Sequence, residues 1–449
     1  MSSRNIAVVV LAAGRGTRMK SDLHKVLHPI AGRPMLLHLL ASAATLSPDR
    51  TVVVTGAGRE QVDAAVTPLG AKIAVQAEQL GTGHAVMQAR EALAGFTGDV
   101  LILYGDVPLV RPETMRAMIE RLDSDDAPAV VVLGFRPADA GAYGRLIVAE
   151  GGDRLEKIVE YKDADAAERA VKLCNSGLMA ARGELLFDLL ARLGNDNAAG
   201  EYYLTDVVEL SGAAVVVEAS AEEVTGVNSR GELAAVEAMW QQARRAQAMA
   251  DGATLIAPET VWFAHDTRLG RDVMIEPNVV FGPGVSVADG ATIRAFSHLE
   301  GATVGVHADV GPYARLRPGA VLAESAKVGN FVEIKKATIG VGAKVNHLSY
   351  IGDAEVGARA NIGAGTITCN YDGFFKYRTV IGEGAFVGSN SALVAPVSVG
   401  AGAIVGAGSV VVRDVTADSL ALARGRQEER RGWAKRFREA MTAKKKGDK

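Results

Sequence analysis

Residues 269–299 read LGRDVMIEPNVVFGPGVSVADGATIRAFSHL, with an apolar side chain on every sixth place: Leu269, Ile275, Phe281, Val287, Ile293 and Leu299. The beat resumes at Val304 after a five-residue step and runs through Val310, Leu316, Leu322, Val328 and Ile334. With two further short steps it continues through Ile339, Val345, Ile351, Val356 and Ile362. It breaks between Asn370 and Arg378, then returns at Ile381, Val387, Leu393, Val399, Val405 and Val411. Four places after most of these stands a small or β-branched residue, as at Val273, Val279, Ala291, Ala308, Ala314, Ala320, Val332, Thr366, Ala385, Val397 and Ala403.

A period of six fits neither a 3.6-residue helix nor an alternating strand. It fits a coil of short flat strands that turns every six residues and sends one apolar side chain per side into its interior, so residues 269–411 are expected to form a parallel β-helical solenoid. Each coil contacts only its neighbours, which predicts capped ends, cooperative stacking and an oligomer.

The rest of the chain is bounded by its composition. The chain has 449 residues, a net charge of −3 and a sequence pI near 6.3, which supplies no overall attraction for nucleic acid or an anionic membrane surface. Cys174 and Cys369 are too few for a disulfide framework or a cysteine metal site, and point to a reducing cytoplasm. Arg4 followed by the apolar run 6–13 resembles a signal peptide superficially, but the run passes straight into Gly14-Arg15-Gly16, as a buried strand feeding a loop does. No apolar run approaches the roughly 20 residues of a membrane span.

Residues 6–12, 51–55, 72–76, 99–104 and 129–135 are β-branched runs, and helical patterns lie between them at 34–46, 59–67, 83–94 and 112–122. That alternation predicts an α/β domain, Rossmann-like, with a mostly parallel sheet. Its first loop, Leu11-Ala12-Ala13-Gly14-Arg15-Gly16-Thr17-Arg18-Met19, combines glycines that let backbone N–H groups approach a phosphate with the cations Arg15, Arg18 and, further on, Lys25. No Gly-Lys-Ser/Thr follows, so it is not a Walker loop, and the third Rossmann glycine is missing. By glycine count alone, a strand-to-helix turn and a phosphate site are equally open.

The full string, Leu-Ala-Ala-Gly-x-Gly-Thr-Arg-Met with Lys25 following, resembles the sugar-phosphate nucleotidyltransferases. Gln76, Gly81 and Thr82 match that family's base-recognition positions. Tyr104-Gly105-Asp106 matches the strand-end segment with the metal-binding aspartate, the place where open α/β sheets hold ligands. Gly144, Glu160, Asn175 and Asn228 resemble its sugar-binding and second metal-ligand positions. With Gly200-Glu201-Tyr202-Tyr203-Leu204-Thr205-Asp206 among them, they narrow the resemblance to the branch that makes UDP-N-acetylglucosamine. His24 stands where that branch is expected to carry proline.

From about Ser229 to Met249 the chain is rich in Ala, Glu and Gln, with Leu233, Val236, Met239 and Trp240 at helical spacing. The expected division is therefore a nucleotidyl-transfer domain over 1–229, a linking helix over 230–250 and a β-helical domain over 251–449. Its histidines raise the alternative of a three-histidine metal site, as in γ-class carbonic anhydrases. At about three hexads per coil, His298 and His307 lie half a coil apart and His347 more than two coils on, so they are not expected to share an ion.

Four stretches decide the solenoid's resemblance: Arg315-Leu316-Arg317-Pro318-Gly319, Gly329 to Lys336, His347 to Asp353, and Asn361 to Gly373. In succession they are similar to the bacterial bifunctional N-acetylglucosamine-1-phosphate uridyltransferases and glucosamine-1-phosphate acetyltransferases, a resemblance that runs from about Ile6 to Arg424. It implies a left-handed parallel β-helix, a homotrimer, Mg²⁺, and UTP and acetyl-CoA as co-substrates of glucosamine-1-phosphate and N-acetylglucosamine-1-phosphate. It also implies roles: His347 as general base, Arg317, Lys335, Tyr350 and Asn361 on glucosamine-1-phosphate, and Ala364, Asn370, Tyr371, Ser389, Ala407 and Arg424 on acetyl-CoA. In the first domain, Leu11 to Arg15, Lys25, Gln76, Gly81, Thr82, Tyr104 to Asp106, Gly144, Glu160, Asn175 and Asn228 would meet UTP or the UDP-sugar. Arg18 and Lys25 would act in catalysis there, and Asp106 and Asn228 would hold the metal. The first half of the solenoid is about one coil short beside that family. The basic tail after Arg430 reads as a solvated end. The competing readings are a single-activity sugar nucleotidyltransferase with a structural β-helix, and a solenoid that serves only for binding or assembly.

Overall fold

The computed structural model describes residues 5–197 and 199–447. It forms two compact bodies, one built from residues up to Ala246 together with Phe263–His265, the other from Gln247–Trp262 and from Asp266 onward.

The first body is organised on strands β1 (Ile6–Ala12), β2 (Arg50–Thr55), β3 (Lys72–Val75), β4 (Asp99–Tyr104), β5 (Val130–Phe135), β6 (Arg145–Val148), β7 (Arg154–Val159), β8 (Cys174–Arg182) and β9 (Ala214–Ala219). They form one nine-stranded sheet in the order β3-β2-β1-β4-β8-β5-β9-β7-β6. The half from β3 to β4 is parallel throughout, and β8 runs against both β4 and β5. The parallel expectation thus holds where the glycine loop leaves the sheet, while the other half is mixed. Strand β1 shows why an unbroken apolar run folds here: Ala7, Val9 and Leu11 enter one buried cluster, and Val8, Val10 and Ala12 the opposite one. The helical pattern at 83–94 is realised only over Thr82–Met87, after which tighter turns lead to Gly95.

The helix Arg230–Ala250 is a single element. Val236 packs with Met19, Ile30, Met35 and Val227, and Trp240 lies against that cluster, so the first body continues past residue 229. Gln241 is buried and spans the backbone of Phe263, donating to its carbonyl at 2.7 Å and accepting its N–H at 2.9 Å.

The second body is a parallel β-helix of three ladders. One carries Leu255, Ile275, Ile293, Val310, Val328, Val345, Ile362, Val387, Val405 and Ala421 in register. A second carries Leu269, Val287, Val304, Leu322, Ile339, Val356, Ile381 and Val399, and the third includes Phe281, Leu299, Leu316, Ile334, Ile351, Leu393 and Val411. The pairs are the hexad residues themselves, so the beat read along the chain is the stacking axis of the fold. Coils extend beyond it at both ends, from Thr254–Leu255 to Leu420–Ala421. Thr368 takes a beat position as a buried hydroxyl, accepting from Gly352 N–H at 2.8 Å and donating to the Gly352 carbonyl at 3.1 Å. The break at 370–378 is a loop with a Tyr371–Lys376 bridge between its arms.

Candidate active sites

In the first body the carboxyl ends of β1 and β4 lie side by side, Leu11 opposite Tyr104. A cavity of about 310 Å³ opens above them, lined by Leu11, Ala12, Ala13, Gly14, Lys25, Gln76, Gly81, Thr82, Tyr104 and Asp106 among others. Gly16, at φ +66°, lets the loop fold back on Lys25, because a Cβ there would stand 2.4 Å from Lys25 Cβ. His24 is buried with φ −57°, inside the range that proline imposes, and its N–H donates to Gln61 Oε1 at 2.9 Å. The departure from the expected proline therefore leaves the lysine in position. Lys25 Nζ lies 2.5 Å from Asp106 Oδ2 and 3.0 Å from Asn228 Oδ1. The Val227 N–H donates to the Asp106 carbonyl at 2.9 Å, which is what sets Asn228 beside the strand end.

Among the described residues no three His, Cys, Asp or Glu side chains gather as a metal cluster. The oxygens of Asp106 and Asn228 nevertheless converge on one cation, the Lys25 ammonium. One carboxylate and one amide oxygen match a hard ion that keeps water and substrate phosphate as its other ligands.

Gly144, Glu160 and Asn175 lie outside the cavity lining but connect to it. The Asn175 N–H donates to the Gly144 carbonyl at 2.9 Å, and Asn175 Oδ1 accepts from Gly177 N–H at 2.9 Å. Gly177, at φ +86°, lies against the Tyr104 ring, and Gly144 lies against the Glu160 carboxylate. Burial first, then Asp163 and Asp206, raise the Glu160 carboxyl above its ordinary range. Burial, with Asp106 and Glu160 adding, pushes the Tyr104 hydroxyl up, against its bond with Thr82. Gly105 donates its N–H to the Leu11 carbonyl at 2.9 Å. Arg18 is exposed, and Arg15 lines a separate depression with Gly16, Thr17, His24 and Gln61. Sequence reasoning missed Gln79, whose amide donates to the Ala13 carbonyl at 2.8 Å and lines the cavity with Glu201. The signal was its place between Gln76 and Gly81.

In the β-helix, residues far apart in sequence form one corner column. His347, Ala364, Ser389 and Ala407 occupy successive coils: the Gly365 N–H donates to the His347 carbonyl at 3.2 Å, Asn390 to Ala364 at 2.7 Å and Gly408 to Ser389 at 2.8 Å. Arg424 continues the file, its guanidinium donating to the Ala407 carbonyl at 2.7 Å. His347 is exposed, and its Nδ1 is 2.8 Å from Asn330 Oδ1. His298 pairs with Arg315 on a different ladder, so the histidines do not assemble.

The phosphate candidates lie on that ladder, where Tyr350 pairs with Glu333 and Lys335 with Gly352. Arg317 donates to Glu333 at 2.8 Å. Lys376, which sequence reasoning did not single out, lies against Lys335; the hydrogen bond it makes and then its positive charge, followed by burial and Arg317, lower the Lys335 ammonium from its ordinary range. Lys376 comes from the break in the repeat, as does Asn370, whose amide donates to Asp353 at 2.5 Å. Tyr371 is exposed on the same loop, and Asn361 pairs in register with Lys344 and Phe386 on the first ladder.

The family description of a MobA-like NTP transferase domain matches residues 8–174, and that of a bacterial transferase hexapeptide (six repeats) matches 266–301 and 378–413. Full-length relatives are similar throughout. "Bifunctional protein GlmU" of Rhizorhabdus wittichii is 68% identical over 449 residues, covering 99% of each chain. The protein of the same name from Sphingopyxis alaskensis is 65% identical over 444 residues, covering 98% of each. That of Rhodospirillum rubrum is 65% identical over 440 residues, 97% of this chain and 98% of its own.

Proposed function

The chain belongs to the family of bifunctional GlmU proteins, and from that premise we propose how its two bodies divide the making of UDP-N-acetylglucosamine. The β-helix acetylates glucosamine-1-phosphate from acetyl-CoA. The α/β body then transfers a uridylyl group from UTP to N-acetylglucosamine-1-phosphate and releases pyrophosphate. The observation that carries the reading is that the glycine loop, Lys25, Gln76, Gly81, Thr82, Tyr104 and Asp106 line one strand-end cavity, while His347, Ala364, Ser389, Ala407 and Arg424 stand in one corner column of the β-helix.

In acetyl transfer, the sugar amine forms a bond to the thioester carbonyl carbon as the bond to sulfur breaks. His347 accepts the amine proton, a task within reach of an imidazole at near-neutral pH. Arg317 and Lys335, with Lys376 beside them, hold the dianionic phosphate by charge-assisted donors, while Tyr350 and Asn361 meet the sugar. The file Ala364, Ser389, Ala407 and Arg424, with Asn370 and Tyr371 on the loop, takes the long CoA chain.

In uridylyl transfer, a phosphate oxygen of the sugar attacks the α-phosphorus in line, and the bond to the β-phosphate oxygen breaks. The Ala13–Gly14 backbone and the cations Arg15, Arg18 and Lys25 offset charge on the departing pyrophosphate. Gln76, Gly81 and Thr82 meet the uracil, Leu11, Ala12, Tyr104 and Gly105 form the floor, and Gly144, Glu160 and Asn175 meet the sugar. Mg²⁺ on Asp106 and Asn228 would neutralise phosphate charge and draw the phosphates together.

The working form is proposed as a homotrimer in the cytoplasm. The exposed stack of Phe296, Tyr313 and Phe331, with centroids 4.9 and 5.2 Å apart, supports assembly, and the two free thiols suit a reducing compartment. No helix among the described residues is long and apolar enough to cross a membrane. The test is one coupled assay with glucosamine-1-phosphate, acetyl-CoA, UTP and Mg²⁺: UDP-N-acetylglucosamine is expected, and its absence while either half-reaction runs alone removes the bifunctional reading.

A further inference from the structure

Asn330 closes the strand Lys327–Asn330, and His347 closes Lys344–His347 one coil on, with the two residues directly paired in the parallel ladder. Their backbones are tied, since the Leu348 N–H donates to the Asn330 carbonyl at 3.1 Å and the Gly365 N–H to the His347 carbonyl at 3.2 Å. The Ser349 hydroxyl holds the same His347 carbonyl at 2.8 Å. What remains to be set is the imidazole ring, and its Nδ1 lies 2.8 Å from Asn330 Oδ1.

A neutral imidazole carries one N–H, and an amide oxygen can only accept a hydrogen bond. The contact therefore puts the ring proton on Nδ1 and leaves the Nε2 lone pair free. We infer that Asn330 is a positioning residue for acetyl transfer, holding His347 as the Nδ1–H tautomer so that Nε2 is the atom that takes the amine proton. The inference rests on the reading of His347 as the general base. In the step, the sugar nitrogen bonds to the acetyl carbon, the carbon–sulfur electron pair leaves with CoA, and the amine proton passes to Nε2.

A neutral partner orients the ring without adding a negative charge that would hold the imidazolium. On the two strands that end at this corner the charged residues are Lys327 and Lys344, paired in register three residues earlier, and Glu333, three residues past Asn330, is engaged with Arg317 at 2.8 Å. The imidazole is thus set by an amide on this pair of coils.

The test compares Asn330→Leu and Asn330→Asp in the full chain. Asn330→Leu removes the acceptor and should lower acetyl-transfer kcat by roughly 10–100-fold, with KM for both substrates within about threefold and uridylyl transfer unchanged. Asn330→Asp keeps an acceptor and should retain turnover at alkaline pH, while the acidic limb of its kcat profile moves to higher pH because a carboxylate stabilises the imidazolium. Nitrogen-15 spectra of the histidine ring in the unaltered protein should show Nδ1 protonated. A kcat for Asn330→Leu within threefold of the parent, an unmoved acidic limb in Asn330→Asp, or a ring protonated on Nε2 each overturns the inference. If His347→Ala itself leaves acetyl transfer intact, the base assignment has failed instead, which separates the two.

Discussion

Lys25 Nζ and Asp106 Oδ2 stand 2.5 Å apart, an ion pair between the glycine-rich loop and the end of β4, and the same ammonium reaches Asn228 at 3.0 Å. The lysine and a divalent ion would compete for the same two oxygens. Asp106→Ala should abolish uridylyl transfer and leave acetyl transfer near the parent rate. Lys25→Ala should also lower uridylyl turnover, yet bind Mn²⁺ more tightly in a direct titration. Weaker Mn²⁺ binding in Lys25→Ala would remove the competition argument, and full activity of Asp106→Ala at limiting Mg²⁺ would remove the metal assignment.

Gly16 is held in the left-handed region with Lys25 Cβ in the space its own Cβ would need. Gly16→Ala adds strain of about 1–3 kcal/mol and must push the loop off the lysine. Uridylyl kcat/KM should fall more than tenfold, as a steady-state comparison would read, with acetyl transfer as the control for folding. An unaffected uridylyl rate would mean that the loop is free to move without cost.

Three histidines of the first body are held below their ordinary range, His24 by burial and then by Lys25 and His28, His28 by burial and then by Arg230, and His38 by burial with smaller contributions from Arg33 and His265. A group that titrates lower when folded binds its proton more readily when unfolded. The stability is therefore complete above the unfolded value near 6.5 and is lost as pH falls from there through the folded value, at up to about 1.4 kcal/mol per pH unit for each group. The temperature at which uridylyl transfer is lost should drop between about pH 7 and about pH 5, and His24→Phe should lessen the drop. An equal drop in the variant would take His24 out of the account.

The chain ended after residue 229 loses Val236, Trp240 and Gln241, which pack on Met19 and Ile30 or span the Phe263 backbone. Ended after residue 265, it keeps them. The longer piece should melt higher, by several degrees for a difference of a few kcal/mol. Calorimetry giving one melting temperature for both would show that the helix adds nothing to the first body.

His347→Ala should lower acetyl-transfer kcat by about 10²–10⁴-fold with small changes in KM, whereas Arg317→Ala should act chiefly on KM for glucosamine-1-phosphate. Melting should hold, because His347 is exposed and the inward residue of its strand is Val345. A loss of less than about tenfold in His347→Ala would return that histidine to a surface role.

The β-helix was legible because its determinant is local. One buried side chain per side repeats along the chain itself, so Leu269, Ile275 and Phe281 announce the coil before any contact is known, and the apolar run of β1 announces a strand covered on both faces. The matched strings likewise marked Asp106 and His347 as candidates. What could not be read locally is which of these residues meet. Asn228 reaches Lys25 across 203 positions only because the Val227 N–H binds the Asp106 carbonyl. Ala364 and Ser389 stack although 25 residues separate them, since the loop at 370–378 leaves the coil and the register closes behind it. That same loop brings Lys376 to Lys335, and the pairing of Asn330 with His347 depends on the short steps that keep successive corners aligned. Periodicity records how each residue is buried by its own segment, whereas the meeting of side chains depends on hydrogen-bonded register between segments, which only the folded backbone sets.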